Sequence, residues 1–282
     1  MIACYDLMHC PPTYDVVAFL ALAERQRMRL GETHVDLHIL PGPLGGFRQD
    51  LLWPHSIVER VDLREKVLVP LCWLLPAVRS VEVRSDRAVD GWGKSARHIS
   101  LPAIVDGLRS GIRPLRVSKD EITRGAPYVT FTLREAAHHA KRNSRTGEWA
   151  RAAAEVEQRL GVRVIVVRDT FCARAPLEGL VTDPEASLDV GRRAALYAGA
   201  RLNVGISNGP MWMAVFLDVP VLMLRPTTNA AQGCYDDKFY ARCGVPPGSQ
   251  LPASPSYQHL AWCEDTRDNI VLAVEEMIGG LG

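Results

Sequence analysis

One segment constrains the fold more than any other. Leu202-Asn-Val-Gly-Ile206 is a short, mostly apolar run, followed by the tight Ser207-Asn208-Gly209-Pro210. Met211 to Phe216 then reads as one or two helical turns, and Val219-Pro-Val-Leu-Met-Leu224 as a second apolar run. Short runs without polar alternation are what strands covered on both faces look like. Ser207 or Asn208 can cap the helix, and Pro210 suits its first turn. Gly209 lets the backbone approach a ligand closely. Such a strand–turn–helix–strand unit belongs to a parallel α/β sheet. Its helix N-terminus points backbone N–H groups outward, where they favour a phosphate. A plain βα turn is the competing reading.

The same alternation runs through the rest of the chain. Ile2 to Leu7 reads as a strand and Tyr14 to Leu30 as a helix, with Thr13 as its N-cap and Gly31 as its stop. Val35 to Leu40 is a second strand, Val58 onward begins helical, and Val81 to Arg84 is a further strand. Ser110 to Ala126 is polar and has the character of a linker. A second strand–helix series then begins at Tyr128 to Leu133. It continues with a helix at Gly147 to Leu160, a strand at Val162 to Val167, a helix at Leu188 to Ala198 and a closing helix at Asp268 to Ile278. The expected fold class is therefore α/β, with two Rossmann-like doubly wound domains at residues 1–118 and 119–282.

Composition narrows the function classes. The chain has 282 residues, 47% of them hydrophobic, enough for two small cores. A formal net charge of +1 gives no electrostatic case for nucleic acid. Seven scattered cysteines form no metal-binding spacing, which suggests reduced thiols and a cytoplasmic setting. The start of the chain does not have the pattern of a signal peptide.

The Ser207–Ala214 frame, Ser-Asn-Gly-Pro-Met-Trp-Met-Ala, resembles the donor loop of GT-B glycosyltransferases, and of the heptosyltransferase family in particular. In that family the loop reads Asp-Thr-Gly-x-x-His-x-Ala. Here Ser207 stands in place of the acid and Trp212 in place of the histidine. The resemblance covers roughly the C-terminal half. It implies two domains facing across a cleft, an acceptor-binding N-terminal half that is short for the family, and a C-terminal half that binds a nucleotide sugar. It also implies metal-independent transfer with inversion, the donor being a substrate and no cofactor being needed. The donor's base and sugar are not implied.

Several constellations are candidates for the chemistry. Arg134 leaves the end of the Tyr128 strand, followed by Glu135 and then by Lys141, Arg142 and Asn143. Guanidinium groups at a strand's carboxyl end can grip a diphosphate bidentately. A solvated Arg134–Glu135 pair is the alternative. Asp169 and Thr170 follow the next strand and could accept ribose hydroxyls, or merely cap a turn. Ser207, Asn208, Gly209 and Pro210 complete the donor set. In the first βα loop His9 and Asp15 are alternative general bases, near Asp6, Cys10 and Tyr14. Gly42 to Arg48 is glycine-rich without a phosphate-loop pattern; it is an acceptor loop or a plain one. His138-His139 lacks the further ligands a metal needs. The resulting expectation is a glycosyltransferase acting on a nucleotide-sugar donor and a carbohydrate or other hydroxyl acceptor. Peripheral membrane contact stays open. A non-catalytic subunit of the same fold, or a nucleotide-sugar epimerase or hydrolase, is the alternative.

Overall fold

The structure, a computed structural model, describes residues 1–49, 55–97, 100–118, 120–122, 125–136, 140–226 and 236–281. Lys119 and Arg124 of the polar stretch, and the pair His138-His139, lie outside the described residues. The chain divides into two compact units, Met1–Arg116 and Val117–Gly282.

Unit 1 contains β1 (Ile2–Asp6), β2 (Val35–Leu40) and β3 (Val78–Val83), parallel and in the order β1-β2-β3. This is one half of a doubly wound sheet. Ala3, Cys4 and Tyr5 of β1 and Val35, Leu37 and Ile39 of β2 are buried. α1 (Val16–Leu30) covers them with Val16, Val17, Phe19, Leu20 and Ala23. Gly31 ends α1 in the left-handed region at φ 68°, its N–H returning to the Arg27 and Met28 carbonyls. Thr13 is not the cap. Asp15 holds that position without capping the helix through its side chain, and the Thr13 hydroxyl donates to Asp15 Oδ2 at 2.6 Å.

α2 (Ile57–Leu63) opens with a capping box between Ser56 and Glu59. The helix then widens into a π-helical turn at Arg64–Leu68 and resumes as α3 (Val69–Trp73). Pro70 explains the widening: it has no N–H for the preceding turn and its ring would crowd a straight helix. α4 (Ser100–Arg109), which the sequence reading passed over, packs on α1.

Unit 2 is a six-stranded parallel sheet. Its strands are β4 (Tyr128–Thr132), β5 (Arg163–Val167), β6 (Val181–Thr182), β7 (Leu202–Ile206), β8 (Val221–Leu224) and β9 (Gln258–Ala261). They lie in the order β6-β5-β4-β7-β8-β9. Numbered within the unit this is 3-2-1-4-5-6, the dinucleotide-binding order. Its helices are α5 (Thr146–Leu160), α6 (Pro184–Leu188), α7 (Val190–Gly199), α8 (Gly209–Phe216), α9 (Asp237–Arg242) and α10 (Arg267–Gly280).

Side-chain alternation puts Val129, Phe131 and Leu133 in one core layer with Trp149 and Val156 of α5 and Val274 of α10. The other face of β4 and β7 is polar but satisfied. Thr130 Oγ1 donates to Asn203 Oδ1 at 2.7 Å, Asn203 Nδ2 donates to the Tyr197 carbonyl at 3.0 Å, and the Thr132 and Tyr197 hydroxyls pair at 2.7 Å. Among the described residues, no helix is long and apolar enough to cross a membrane.

Candidate functional site

In unit 2 the strand order reverses between β4 and β7. Open α/β sheets bind ligands beyond the carboxyl ends of their strands at such a point. The residues leaving β4 form a closed loop there. Arg134 N–H donates to Ser144 Oγ, and Ser144 N–H returns to the Arg134 carbonyl, both at 2.9 Å. The Arg134 guanidinium donates to Asn143 Oδ1 and is only 6% exposed. Asn143 also clasps Ala136, accepting from its N–H at 3.1 Å and donating to its carbonyl at 3.0 Å. The solvated Arg134–Glu135 pair therefore does not form.

The β7 side meets this loop directly. Arg142 Nη2 donates to the Ser207 carbonyl at 3.3 Å. Asn208 Oδ1 caps α8 by accepting from Met211 N–H at 3.0 Å, with Gly209 and Pro210 in the first turn. Ser207 Oγ lies 3.2 Å from Tyr240 Oη. Of the expected donor residues, Arg142 and Ser207 thus meet at the helix N-terminus that Asn208 caps, while Arg134 and Asn143 brace the loop that carries Arg142.

Glu135, Asp169 and Thr170 belong to the neighbouring β5 edge. Glu135 binds Arg168, whose Nε donates to Glu135 Oε2 at 2.9 Å. Glu135 N–H makes a long bond of 3.4 Å to Asp169 Oδ2, and Thr170 Oγ1 donates to the Ser187 carbonyl at 3.3 Å. Asp169 stands at the N-cap of a one-turn helix, Thr170–Cys172, without a capping bond from its side chain.

A regularity emerges that the sequence reading used once and then missed. β4, β5 and β8 are each followed by an arginine near the strand's carboxyl end, Arg134, Arg168 and Arg225, and all three are buried. Arg225 stacks on the Tyr240 ring with its central carbon 4.7 Å from the centroid, and Nη2 reaches Asp237 at 3.4 Å. An arginine closing an apolar run was the available signal.

Unit 1 holds the candidate bases at the end of β1. Asp6 is fully buried. Both its oxygens accept from Arg87 at 2.6 Å, and the Met8 and Ser95 N–H groups add bonds of 2.9 and 3.1 Å. Burial alone would push this carboxyl up, but the Arg87 guanidinium and the two amides outweigh it and hold it below its ordinary value. His9 Nε2 lies 3.8 Å from Asp6 Oδ2, whereas Asp15 is engaged by Thr13 at the start of α1.

A pocket of about 490 Å³ opens beside this loop, lined by Met8, Arg64, Arg84, Asp86 and Arg87 among others. It occupies the carboxyl ends of all three strands. Gly42 and Gly46 of the glycine-rich loop form part of its wall.

The depressed Asp6 carboxyl has a consequence for stability. Its contribution is full above the unfolded carboxylate value, about pH 4, and is lost as pH falls through the lower folded value. Melting temperature measured from pH 6 down to pH 2.5 should therefore fall on the acid side. The Asp6→Asn variant should start lower and show a flatter acid limb. An unchanged acid limb would mean that Asp6 is not the responsible group.

No protein-family model matches the chain, and no curated protein matches it either. Solved structures do. A glycosyl transferase family 9 protein from Veillonella parvula is similar over 99% of this chain and 97% of its own, at 10% identity and a TM-score of 0.55. The iron-containing dodecameric glycosyltransferase TibC from enterotoxigenic E. coli matches over 98% of this chain and 74% of its own, at 14% identity and a TM-score of 0.49. E. coli heptosyltransferase WaaC with ADP matches over 97% and 72%, at 15% identity and a TM-score of 0.39. The first likeness shows the fold: the α/β plan is that of a GT-B glycosyltransferase along nearly the whole chain.

Proposed function

We propose that this chain is a glycosyltransferase in which unit 2 holds a nucleoside-diphosphate sugar and unit 1 holds a hydroxyl acceptor. The observation that carries the reading is the meeting of Arg142 with the α8 N-terminus at the β4/β7 switch point. A guanidinium group and a row of helix amides suit a diphosphate, whose negative charge grows as it leaves.

On this reading the acceptor oxygen attacks the anomeric carbon, the bond to the diphosphate oxygen breaks, and configuration inverts. His9 takes the hydroxyl proton, its ring lying 3.8 Å from the Asp6 carboxylate. Arg142 and the α8 amides meet the departing charge, so the residues present supply the stabilisation a metal-independent transfer needs. Arg134 keeps the β4 loop in shape through Asn143 and adds positive potential.

The acceptor seat is the pocket at the strand ends of unit 1. Arg64 and Arg84 line it, paired with the half-exposed carboxylates of Glu65, Glu82 and Asp86. An acceptor bearing a negative group fits that lining better than a neutral one. A cytoplasmic setting suits a soluble donor of this kind.

The test is a thermal-shift and calorimetric screen of ADP, GDP, UDP, TDP and CMP. One nucleoside diphosphate at least should raise the melting temperature. Arg142→Ala should weaken that binding about ten- to a hundredfold, the value of a charged hydrogen-bond donor. If no nucleotide binds the unaltered protein, the chain is instead a non-catalytic relative that keeps only the fold.

A further inference from the structure

Unit 1 has a second pocket, also of about 490 Å³, at the opposite edge of its sheet. Its walls are the last turns of α1, the residues just before β2 and β3, and the segment from Ile112 to Arg116 that closes the unit. Thr33 and Ala77 stand at the two strand starts, where the Ala77 carbonyl accepts from Val35 N–H at 2.8 Å. β2 and β3 have six residues each, so about 20 Å of strand separates this pocket from the one at the carboxyl ends. A small ligand in one does not touch the other.

The lining is divided between charge and apolar surface. Three arginines, Arg27, Arg113 and Arg116, face one carboxylate, Glu24. Glu24 is taken by Arg27, whose Nε and Nη2 donate to its two oxygens at 2.7 Å. Three positive charges against one negative leave a formal surplus of two. Arg116 is held ready for a ligand. Its N–H donates to the Leu74 carbonyl at 2.8 Å, and its Nη1 to the Arg113 and Leu115 carbonyls at 2.6 and 2.7 Å. Pro114 and Leu115 beside it are buried, whereas Arg116 itself is exposed. Among the described residues, all the side-chain bonds of Arg116 come from Nη1, so Nε and Nη2 are left to the pocket. A guanidinium anchored by one corner needs little further ordering to receive an anion. The apolar part comes from Leu75, Ala77, Ile112 and Met28, the last 58% exposed. Methionine conforms to irregular apolar shapes.

We propose that this pocket is a further binding site, for a phosphate monoester carried on an apolar chain. Above its second pKa of about 6 such a group approaches two negative charges, matching the surplus of the lining, and its oxygens fit the fork of a guanidinium. The chain lies along the Met28, Leu75 and Ile112 side. The same chemistry reaches a protein as a free ester or as the head of an anionic lipid in a bilayer. The site is independent of the donor and acceptor reading above.

The experiment is calorimetric titration of the full chain with inorganic phosphate, butyl phosphate and hexyl phosphate, beside sedimentation with phosphatidylcholine vesicles with and without phosphatidic acid. Hexyl phosphate should bind about tenfold more tightly than butyl phosphate, the value of two buried CH₂ groups, and inorganic phosphate more weakly than either. Arg116→Ala should weaken hexyl phosphate about tenfold or more. Thr33 is exposed on the loop before β2, so Thr33→Glu places a carboxylate in the pocket without touching the core, and should weaken it as much. Arg84→Ala and Arg142→Ala, in the other sites, should leave it within twofold. Co-sedimentation only with phosphatidic acid, lost in Thr33→Glu, would make the source a bilayer; hexyl phosphate binding without co-sedimentation would make it a free ester.

Affinity for hexyl phosphate unchanged in both Arg116→Ala and Thr33→Glu would overturn the site. So would equal affinity for all three phosphates, or weakening in Arg84→Ala or Arg142→Ala instead. Binding of neither the esters nor the vesicles by the unaltered chain would overturn it outright.

Discussion

Replacing His9 with alanine is expected to slow turnover about a hundred- to ten-thousandfold while leaving nucleoside-diphosphate affinity unchanged. At the end of β1 a fully buried Asp6 is fixed by Arg87 and two backbone amides. A carboxylate held this firmly cannot move to meet a substrate. It can act through the imidazole 3.8 Å away. Asp15 is engaged by the Thr13 hydroxyl at the start of α1. Asp15→Asn should therefore cost no more than a few-fold in rate. The measurement is release of nucleoside diphosphate from whichever donor the nucleotide screen identifies, at saturating donor, with binding followed separately. A full loss in Asp15→Asn with His9→Ala active would reverse the assignment. Loss of nucleotide affinity in His9→Ala would show damage beyond the proton transfer.

The second large effect concerns stability. Gly205→Val should destabilise unit 2 by about 3 kcal/mol or more, a fall of roughly 6–12 °C in melting temperature. Gly205 lies on β7 at the face covered by α8. A Cβ there would come within 2.8 Å of Met211 Sδ, 2.9 Å of Met211 Cγ and 3.0 Å of the Thr132 carbonyl oxygen. The methionine can yield by changing rotamer. The carbonyl cannot, because it belongs to the neighbouring strand. The larger side chain therefore pushes α8 off the sheet, and the helix N-terminus beside Ser207 moves with it. Nucleotide binding should weaken in the same variant. A melting temperature within 2 °C of the unaltered protein would show that this helix–strand contact is looser than its geometry implies.

Much of unit 2 was legible because its signals are local and agree. Leu202–Ile206 read as a two-sided strand and Tyr128–Leu133 as a strand, and of Ser207 and Asn208, either of which could cap what followed, Asn208 does so. Gly31 stopped α1 as expected for the same reason. What escaped was set by competing local cues. α4 shows apolar spacing at Leu101, Ile104, Val105 and Leu108, yet Pro102 and Gly107 disguise it. Pro102 falls in the first turn, where its missing N–H costs nothing. β6 is only two residues long, below what periodicity can reveal. The helix expected at Leu188 to Ala198 is α7, which starts at Val190 because the Asp189 side chain takes the Arg192 N–H, and the short α6 before it was not anticipated. Within the candidate site, Arg134 was found from its strand-end position. Its partnership with Asn143 and Ser144 was not, since nothing local shows which polar neighbour a loop will fold onto. The pocket lined by Arg64, Arg84 and Arg87 was invisible for a related reason: its walls come from three strand ends far apart in the chain.

The outer side of β1 has a further consequence. Trp92 forms an isolated bridge there, donating to the Ile2 carbonyl at 3.0 Å while its own carbonyl accepts from Cys4 N–H at 2.7 Å. It can come so close only because residue 91 is glycine: a Cβ at Gly91 would stand 2.7 Å from Cys4 Sγ and from Ile2 Cγ2. A sheet margin with unsatisfied amides is a template on which a second molecule can add a strand. Here one tryptophan and one glycine withhold that template where a full fourth strand would otherwise be needed. Their loss would tell less on the melting curve than on the tendency of a concentrated solution to cloud.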